Sequence, residues 1–429
     1  MNNSEIIKNA VVIDGTGSPA KEHGTVVIEN GVITRICYGL EDGRNTIENH
    51  PDLPVIDAGG KHLLPGLIDC HLHLNSYAGT DNTIVKLWYL TTTPAYRMLH
   101  GVKNLKLLLQ AGFTTVRHCG HMPNGTDIHL RDAVSERFIP GPRVLACGGD
   151  ITMTAGHGDL TTPKWAHQEP DRTADGVDEC IKAVRQRLRM GADFIKVHMS
   201  GGVMSIGDPL WWRNYRPEEF AAICNEAHAF RRKVAAHAHG TEGIKIALRN
   251  GVDTVEHGTF MDDEGRELML KTGAYLIPTL VTSHAAVKSG AATGAPASSL
   301  EKAKQAYEAS VINFQKAYHA GIKIANGSDC QNLRRVRYNR EEFDELSDAG
   351  VPNMEIIKLA THNAADALDI LEYTGTIEVG KNADLILLCK NPLEDIRVLG
   401  SRKCTEMVMI KGDVLIQNFK EVDEDETEN

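Results

Sequence analysis

Strand-length apolar segments alternate with helical stretches through most of this 429-residue chain. The alternation favours a parallel α/β fold, because each helix returns the chain to the start of the next parallel strand. The predicted strands are residues 63–70, 113–118, 143–147, 193–197, 233–237, 254–257, 275–280 and 322–327. The predicted helices between them include residues 93–110, 175–190, 217–232, 243–249, 263–271 and 300–320.

The number of strand–helix units favours a closed (β/α)₈ TIM-type barrel over an open doubly wound sheet. The open sheet is also disfavoured because the sequence lacks the glycine fingerprint with which such sheets bind dinucleotides. We therefore predict an α/β protein whose barrel covers residues 63–373.

Both ends of the chain show a different pattern, in which short alternating strands are separated by glycine-containing turns. Such turns are typical of hairpins. We predict one small β-sandwich domain built from both termini, residues 1–62 and 374–420; two unrelated edge extensions are the alternative. Residues 421–429 are strongly acidic and predict a solvated, disordered tail.

The composition excludes several classes of protein. A net charge of −11 argues against a nucleic-acid or anionic-membrane partner. The nine cysteines are scattered without a C-x-x-C pair, which favours reduced thiols over disulfides or a cysteine zinc site. The first residues lack a signal-peptide pattern, and no apolar run approaches the roughly 18 residues of a membrane span. We expect a cytoplasmic protein.

Residues of types that can bind metals lie at the ends of the predicted barrel strands. His71 and His73 follow the first strand, and strand alternation places both imidazoles on one side. The other candidates, in strand order, are Lys196, His237, His239, His257 and Asp329. One histidine at a strand end is more often structural than a ligand. Several such residues on different strands, meeting at the active end of a barrel, predict a metal site.

Five motifs of the chain resemble those of the amidohydrolase superfamily of metal-dependent hydrolases. They are Leu64-Pro-Gly-Leu-Ile-Asp-Cys-His71-Leu-His73, Asp193-Phe-Ile-Lys196-Val, Val234-Ala-Ala-His237-Ala-His239-Gly, Val255-Glu-His257-Gly and Gly327-Ser-Asp329. The resemblance covers nearly the whole chain. Within the superfamily, the sequence is most similar to the branch of imidazolonepropionase-like hydrolases, prolidase-like dipeptidases acting on Xaa-Pro or Xaa-Arg substrates, and ochratoxinase-type amidases.

The resemblance implies a binuclear metal centre. Its six ligands would be His71, His73, Lys196, His237, His257 and Asp329. The two histidines of the first strand would hold the more buried ion with Asp329, and the other two would hold the more exposed ion. Lys196 would bridge both ions as an N-carboxylated lysine.

Elementary chemistry supports these implied roles. Desolvation in a closed site favours the neutral amine of Lys196, which can react with carbon dioxide to give a carbamate. An ordinary salt-bridged lysine is the alternative. Histidine and oxygen donors favour zinc, with manganese, cobalt or iron as alternatives. Asp329, beside a metal-activated water, is the expected general acid and base.

Other residues near the predicted mouth are candidates for contact with the substrate. His157 lies in a glycine-flanked loop after the third strand and is expected to contact the substrate. His239 has either a substrate or a structural role, and His118 departs from the expected family motif, so its role stays open. Tyr215 corresponds to a tyrosine that polarises the scissile carbonyl in related dipeptidases.

Two further groups carry alternative interpretations. Trp211 and Trp212 lie on a glycine-rich stretch after the fourth strand and either cover an apolar substrate or pack between loops or subunits. Arg334, Arg335 and Arg337 follow Asp329 and either bind a substrate carboxylate or form a solvated face.

The patterns together predict a hydrolase of a C–N bond in an amide, a dipeptide or an N-acyl amino acid. Cleavage of a lactone, carbamate, urea or phosphotriester on the same site is an alternative. A deaminase is disfavoured by Lys196, and an inactive scaffold is disfavoured because all six ligand positions are filled. The expected partner is a small-molecule substrate, with or without a carboxylate, and the resemblance implies a homo-oligomer.

Overall fold

The structure is a computed structural model that describes residues 3–74, 87–88, 91–120, 125–159, 172–203, 208–289, 297–330 and 337–417. Within them the strands are β1 (Glu5–Val12), β2 (Lys21–Glu29), β3 (Val32–Tyr38), β4 (Val55–Asp57), β5 (His62–Pro65), β6 (Leu67–Leu72), β7 (Phe113–His118), β8 (Arg143–Ala146), β9 (Phe194–His198), β10 (Lys233–Ala238), β11 (Thr254–His257), β12 (Tyr275–Ile277), β13 (Leu385–Leu388), β14 (Thr405–Ile410) and β15 (Asp413–Gln417).

Most helices predicted from the sequence begin and end within a few positions of helices in the described residues. They are α1 (Leu40–Glu48), α2 (Pro94–Gln110), α3 (Thr126–Ser135), α4 (Val177–Met190), α5 (Pro217–Ala229), α6 (Thr241–Arg249), α7 (Asp263–Thr272), α8 (Leu280–Ser289), α9 (Ala297–His319), α10 (Arg337–Asp348), α11 (Asn353–Leu359) and α12 (His362–Ala367). None of these helices has the length and apolar character needed to cross a bilayer.

Two parallel sheets carry the central strands of the chain. One has the order β6-β7-β8 and the other has the order β12-β11-β10-β9. Every residue of β6, β7, β9 and β11 is buried. Burial along a whole strand is expected where a parallel sheet is covered on both faces. The predicted α/β class is therefore confirmed.

Isolated parallel bridges connect these two sheets. Ile151, which follows β8, pairs with Val197 of β9. On the other side, the segment 322–330 reaches β12 through Ile324 and reaches β6 through Cys330. Both edges of the three-stranded sheet are thus bridged towards the four-stranded sheet.

The first predicted strand, residues 63–70, is wrong in its extent. The structure divides it into β5, which ends at Pro65, and β6, which begins at Leu67. Proline has no N–H to give to a ladder, and the N–H of Gly66 donates to the carbonyl of Asp384 (2.9 Å). Only the second half of the predicted strand therefore belongs to a parallel sheet.

The last predicted strand, residues 322–327, makes isolated bridges instead of a continuous ladder. Its backbone bonds are shared between two neighbours: the N–H of Ala325 donates to Leu276 (3.1 Å), and the carbonyl of Asn326 accepts from Cys70 (3.0 Å). The N–H of Asn326 donates to the carbonyl of the last residue of α11 (3.0 Å). The segment consequently lies between β12 and β6 without a full ladder to either strand.

A third sheet combines strands from both ends of the chain. Its order is β15-β14-β13-β5-β1-β2-β3, and β4 also pairs with β1. The β2–β3 turn places Asn30 (φ 54°) and Gly31 (φ 80°) in the left-handed region, as a tight Asn-Gly hairpin turn requires. The β-rich ends predicted from the sequence therefore meet in one sheet. The predicted acidic tail, residues 421–429, lies outside the described residues.

A buried ion pair links this third sheet to the parallel strands. Asp384, just before β13, accepts hydrogen bonds from Arg143 Nη2 (3.0 Å), Thr374 Oγ1 (2.8 Å) and the backbone N–H of Lys411 (2.8 Å). Arg143 is the first residue of β8. One carboxylate thus joins the start of a parallel strand to the antiparallel sheet.

We predict that Arg143→Ala lowers the free energy of unfolding by about 3 kcal/mol, because it leaves the buried carboxylate of Asp384 without its cation. The matched control is Arg397→Ala, since Arg397 pairs with Asp395 on the surface, where ion pairs contribute little to stability. Urea denaturation of both variants measures the difference. Equal losses of stability in the two variants would contradict the linking role of Asp384.

Candidate active site

A cavity of about 670 Å³, including its open mouth, lies at the ends of the parallel strands. All six predicted metal ligands line it. Its titratable lining residues are His71, His73, His157, Lys196, His198, His237, His239, His257 and Asp329. Because the carboxyl ends of parallel strands meet at one rim, residues distant in the chain converge there.

Four of these side chains form an inner cluster. The Asp329 carboxylate lies 3.0 Å from Nε2 of His73 and 3.5 Å from Nε2 of His71. Nζ of Lys196 is also 3.5 Å from Nε2 of His71. All four residues are almost fully buried. Two imidazoles, a carboxylate and a lysine therefore face one small volume.

Three more histidines form an outer cluster beside it. Nε2 of His257 lies 2.9 Å from Nδ1 of His237, and the ring of His239 stacks on that of His257 at 4.5 Å. Threonine hydroxyls fix two of the rings: Nδ1 of His257 is 2.7 Å from Thr279 Oγ1, and Nδ1 of His239 is 2.7 Å from Thr259 Oγ1. The two clusters meet at His257, because its metal-binding nitrogens lie close to the possible ligand atoms of both clusters.

A buried carboxylate orients the first ligand. Glu256 accepts a hydrogen bond from Nδ1 of His71 (2.6 Å) and another from Nη2 of Arg117 (2.7 Å). Burial opposes the ionisation of Glu256, but Arg117 and His71 outweigh it and lower its pKa to about 2. With the proton held on Nδ1, Nε2 of His71 presents a lone pair to the cluster. Carboxylates play this part behind many metal-bound histidines.

The protonation states fit a divalent cation. Burial lowers the pKa of His71 to about 4 and that of His239 to about 3, and it holds the pKa values of His237 and His257 well below their usual range. Burial opposes the ionisation of Asp329, but the hydrogen bond with His73 and the nearby imidazoles hold its pKa well below the usual range. Neutral imidazoles and an ionised carboxylate are the forms that bind metals.

Sequence reasoning missed three residues of this site: Arg117, His198 and Glu256. His198 lines the cavity and stands two positions after Lys196 on β9. The alternation that grouped His71 with His73 also places His198 on the side of Lys196. No comparable signal identifies Glu256, because its role depends on Arg117, which lies on another strand.

The other predicted residues occupy different positions. His157 and His239 line the cavity, and the ring of His157 stacks on that of His237 at 4.3 Å. His118 is buried behind His73, where its Nδ1 accepts a hydrogen bond from the N–H of Leu74 (3.0 Å). It is not among the residues that line the cavity.

The residues proposed for the lid and for carbonyl polarisation are not among the described residues that line the cavity. Tyr215 is fully buried in the main apolar core, where its ring packs among core side chains. Trp211 and Trp212 are each 57% exposed, and neither is among the described lining residues. Arg334 and Arg335 lie outside the described residues, as does the side chain of Arg337.

Comparison with known proteins identifies the family. The profile of the amidohydrolase family matches residues 62–415. The chain belongs to the amidohydrolase family. This amidohydrolase is 31% identical over 425 residues to the ochratoxinase of Aspergillus niger, covering 95% of this chain and 85% of the relative. It is 25% identical over 428 residues to the imidazolonepropionase of Geobacillus kaustophilus, covering 93% and 91%.

A solved structure extends the likeness to the fold. A Xaa-Pro dipeptidase crystallised with methionine in its active site has a TM-score of 0.87 and 32% sequence identity, covering 96% of this chain and 99% of that one. These findings confirm the predicted superfamily and the predicted class of enzyme, a hydrolase acting on C–N bonds. Members of the family generally use metal ions, and the histidine and aspartate groups of this amidohydrolase are suited to hold them.

We predict that Glu256→Gln weakens metal binding by about 10–100-fold, because the amide no longer fixes the tautomer and orientation of His71. Metal dissociation constants, measured by competition with a chelating dye, test this expectation. The exposed Glu264→Gln is the matched control and should bind metal like the unmodified protein. If both variants kept the original affinity, Glu256 would have no positioning role.

Proposed function

We propose that this amidohydrolase is a binuclear metal-dependent enzyme that cleaves the C–N bond of a small amide, a dipeptide or an N-acyl amino acid. The observation that carries the proposal is the convergence of all six predicted ligands at one cavity. The lowered pKa values of His71 and Asp329 favour a neutral imidazole and an ionised carboxylate there. A lactone, carbamate, urea or phosphotriester is the alternative substrate class.

A closed barrel is the architecture that we propose for the catalytic part, residues 63–373. The parallel bridges at both edges of the three-stranded sheet support closure, since Ile151 reaches β9 and the segment 322–330 reaches β12 and β6. The sheet built from both chain ends supports a separate small β domain over residues 1–62 and 374–420.

The proposed ligand roles follow the two clusters. His71, His73 and Asp329 would hold one ion, and His237 and His257 would hold the other. Lys196 would bridge the two ions as a carbamate. Nitrogen and oxygen donors without a thiol make zinc the proposed metal. When bound, two such ions would act as Lewis acids and lower the pKa of a water towards about 7.

Asp329 is the residue that we propose to move the proton. Its carboxylate accepts the proton of the attacking water and returns it to the leaving nitrogen. A lowered pKa keeps this carboxylate ionised before the reaction. Its hydrogen bond with His73 (3.0 Å) holds it at the inner cluster.

The remaining lining residues bind and orient the substrate. His239, within the outer cluster, and His157, whose ring stacks on that of His237, can contact the scissile amide. Small side chains line the rest of the cavity: Val203, Thr259, Pro278, Thr279, Thr282, Ser283, Ala286 and Ser310. A concave site with such a lining suits a small organic amide.

A hydrolysis screen of the zinc-loaded protein tests the function. It spans N-acyl amino acids, Xaa-Pro and Xaa-Arg dipeptides, aryl amides, ureas, carbamates, lactones and a phosphotriester. We expect turnover of at least one amide or dipeptide, and loss of turnover after a chelator removes the metal. Turnover confined to lactones or phosphotriesters would select the alternative substrate class.

We predict that Asp329→Asn lowers kcat by about 10²–10⁴-fold on that substrate while the protein stays folded, because the amide cannot accept a proton. The kinetic constants and the circular dichroism spectrum are the measurements. Asp178→Asn, at an exposed aspartate of α4, is the matched control and should keep full activity. Substantial residual activity of Asp329→Asn would refute the proton-transfer role.

We predict that Lys196 carries a carbamate in the metal-loaded protein, because its buried Nζ lies beside the inner ligands. Loading with zinc and ¹³C-bicarbonate should give a carbamate carbon signal by NMR. The signal should vanish in Lys196→Arg and persist in Lys233→Arg, whose lysine donates to the carbonyls of Asp366 and Ala367. A metal-replete protein without the signal would reject the carbamate.

A further inference from the structure

A third group of imidazoles lies next to the two proposed metal positions. His157, His198 and His237 form a triangle whose ring centroids are 4.3, 5.0 and 5.1 Å apart. One ligand atom from each of the three lies within 4.8 Å of the others. The six-ligand centre uses only His237 of this group, so His198 has no role in it.

A buried ion pair holds His198 in this triangle. Nε2 of His198 donates to the carboxylate of Asp150 (2.8 Å), which is fully buried. Arg172 binds both oxygens of that carboxylate through Nη1 (2.7 and 2.8 Å) and the carbonyl of Gly158 through Nη2 (2.7 Å).

This arrangement repeats the one behind His71, where Arg117 pairs with Glu256 and Glu256 orients the imidazole. Burying a carboxylate and most of an arginine carries a desolvation cost that is offset only by good geometry. The protein thus contains a second buried support of the kind that orients metal-binding histidines. Nothing in the six-ligand centre accounts for it.

We propose that His157, His198 and His237 form a third site, which binds a transition-metal ion, zinc above all, when the free metal is in excess. Imidazole nitrogen is a preferred ligand of zinc and of the neighbouring divalent transition metals. With Zn–N bonds of about 2.1 Å, imidazoles on one tetrahedral ion have ring centres roughly 5 Å apart.

Two of the three distances between ring centroids match that spacing. The ring of His157 has to rotate before the third distance, to His237, matches it as well. Its ring lies flat on His237, with 15° between the planes. It stands between Gly156 and Gly158, and its side chain is 15% exposed, more than those of the other two histidines. His157 is therefore the most exposed member of the triangle, and binding an ion requires it to give up the contact of its Nδ1 with the Asp208 carboxylate (3.4 Å).

Occupation of this site has a consequence for the enzyme. The third ion shares His237 with the proposed outer ion, so the imidazole of His237 releases its N–H proton to solvent and bridges the two ions as an imidazolate. The third ion also takes His157 away from the substrate. Metal in excess of the first two ions should therefore inhibit hydrolysis. His157 cannot bind the third ion and contact the substrate at the same time.

The test counts the ions bound at equilibrium as free zinc is raised, by dialysis and atomic absorption. The unmodified protein should bind a third ion more weakly than the first two, and its initial rate should fall as that ion binds. His198→Gln should keep the first two ions and bind no third. Asp150→Asn should weaken the third ion by about 10–100-fold and leave the first two unchanged.

His228→Asn is the matched control, because His228 also pairs with an aspartate, Asp253 (2.8 Å), but lies on the surface. It should bind three ions like the unmodified protein. Saturation of the unmodified protein at two ions would overturn the third site, as would an unchanged third ion in His198→Gln. Because the first two ions are counted separately, loss of the binuclear centre gives a different binding curve from loss of the third site.

Discussion

The shared rim of the parallel strands is the constraint on which the site depends. Parallel strands all present their carboxyl ends at one edge, so a residue just past each strand meets its counterparts from the others. His71 is the penultimate residue of β6, Lys196 lies within β9, and His257 ends β11. Their convergence in one cavity is a consequence of strand direction, and short-range sequence contacts play no part in it.

The second constraint is the cost of placing charge in that cavity. Arg117, Lys196, Glu256 and Asp329 are all nearly inaccessible to water. Each buried ion carries a desolvation penalty of several kcal/mol unless it is paired. Arg117 neutralises Glu256, and burial lowers the pKa values of His71 and His237, which favours their neutral forms. Neutral imidazoles beside an ionised carboxylate are the forms that bind a cation.

Most of this arrangement is visible in the sequence, and the exceptions have physical reasons. Strand alternation predicts that His71 and His73 share a side, and the resemblance to the amidohydrolase superfamily predicts that Asp329 joins them. Pro65 interrupts the first predicted strand because proline cannot donate a hydrogen bond to a ladder. The continuous run of apolar residues gave no sign of this interruption. Glu256 was not predicted, since a glutamate within a strand gains its role only from Arg117 on β7.

Other differences arise from loops, where no periodicity constrains a side chain. Tyr215 stands in a segment between β9 and α5, and the structure buries its ring in the core. Trp211 and Trp212, a few residues earlier, are mostly exposed. The aromatic and glycine residues around these positions are compatible both with a loop that covers the cavity and with a loop that lies beside it. Only tertiary packing distinguishes the two arrangements.

The most direct test is anomalous diffraction from crystals of the zinc-loaded protein, recorded on both sides of the zinc absorption edge. The account predicts one peak within bonding distance of His71, His73 and Asp329, a second within bonding distance of His237 and His257, and Lys196 between them. Peaks confined to other parts of the molecule, with these side chains out of reach of any ion, would contradict it.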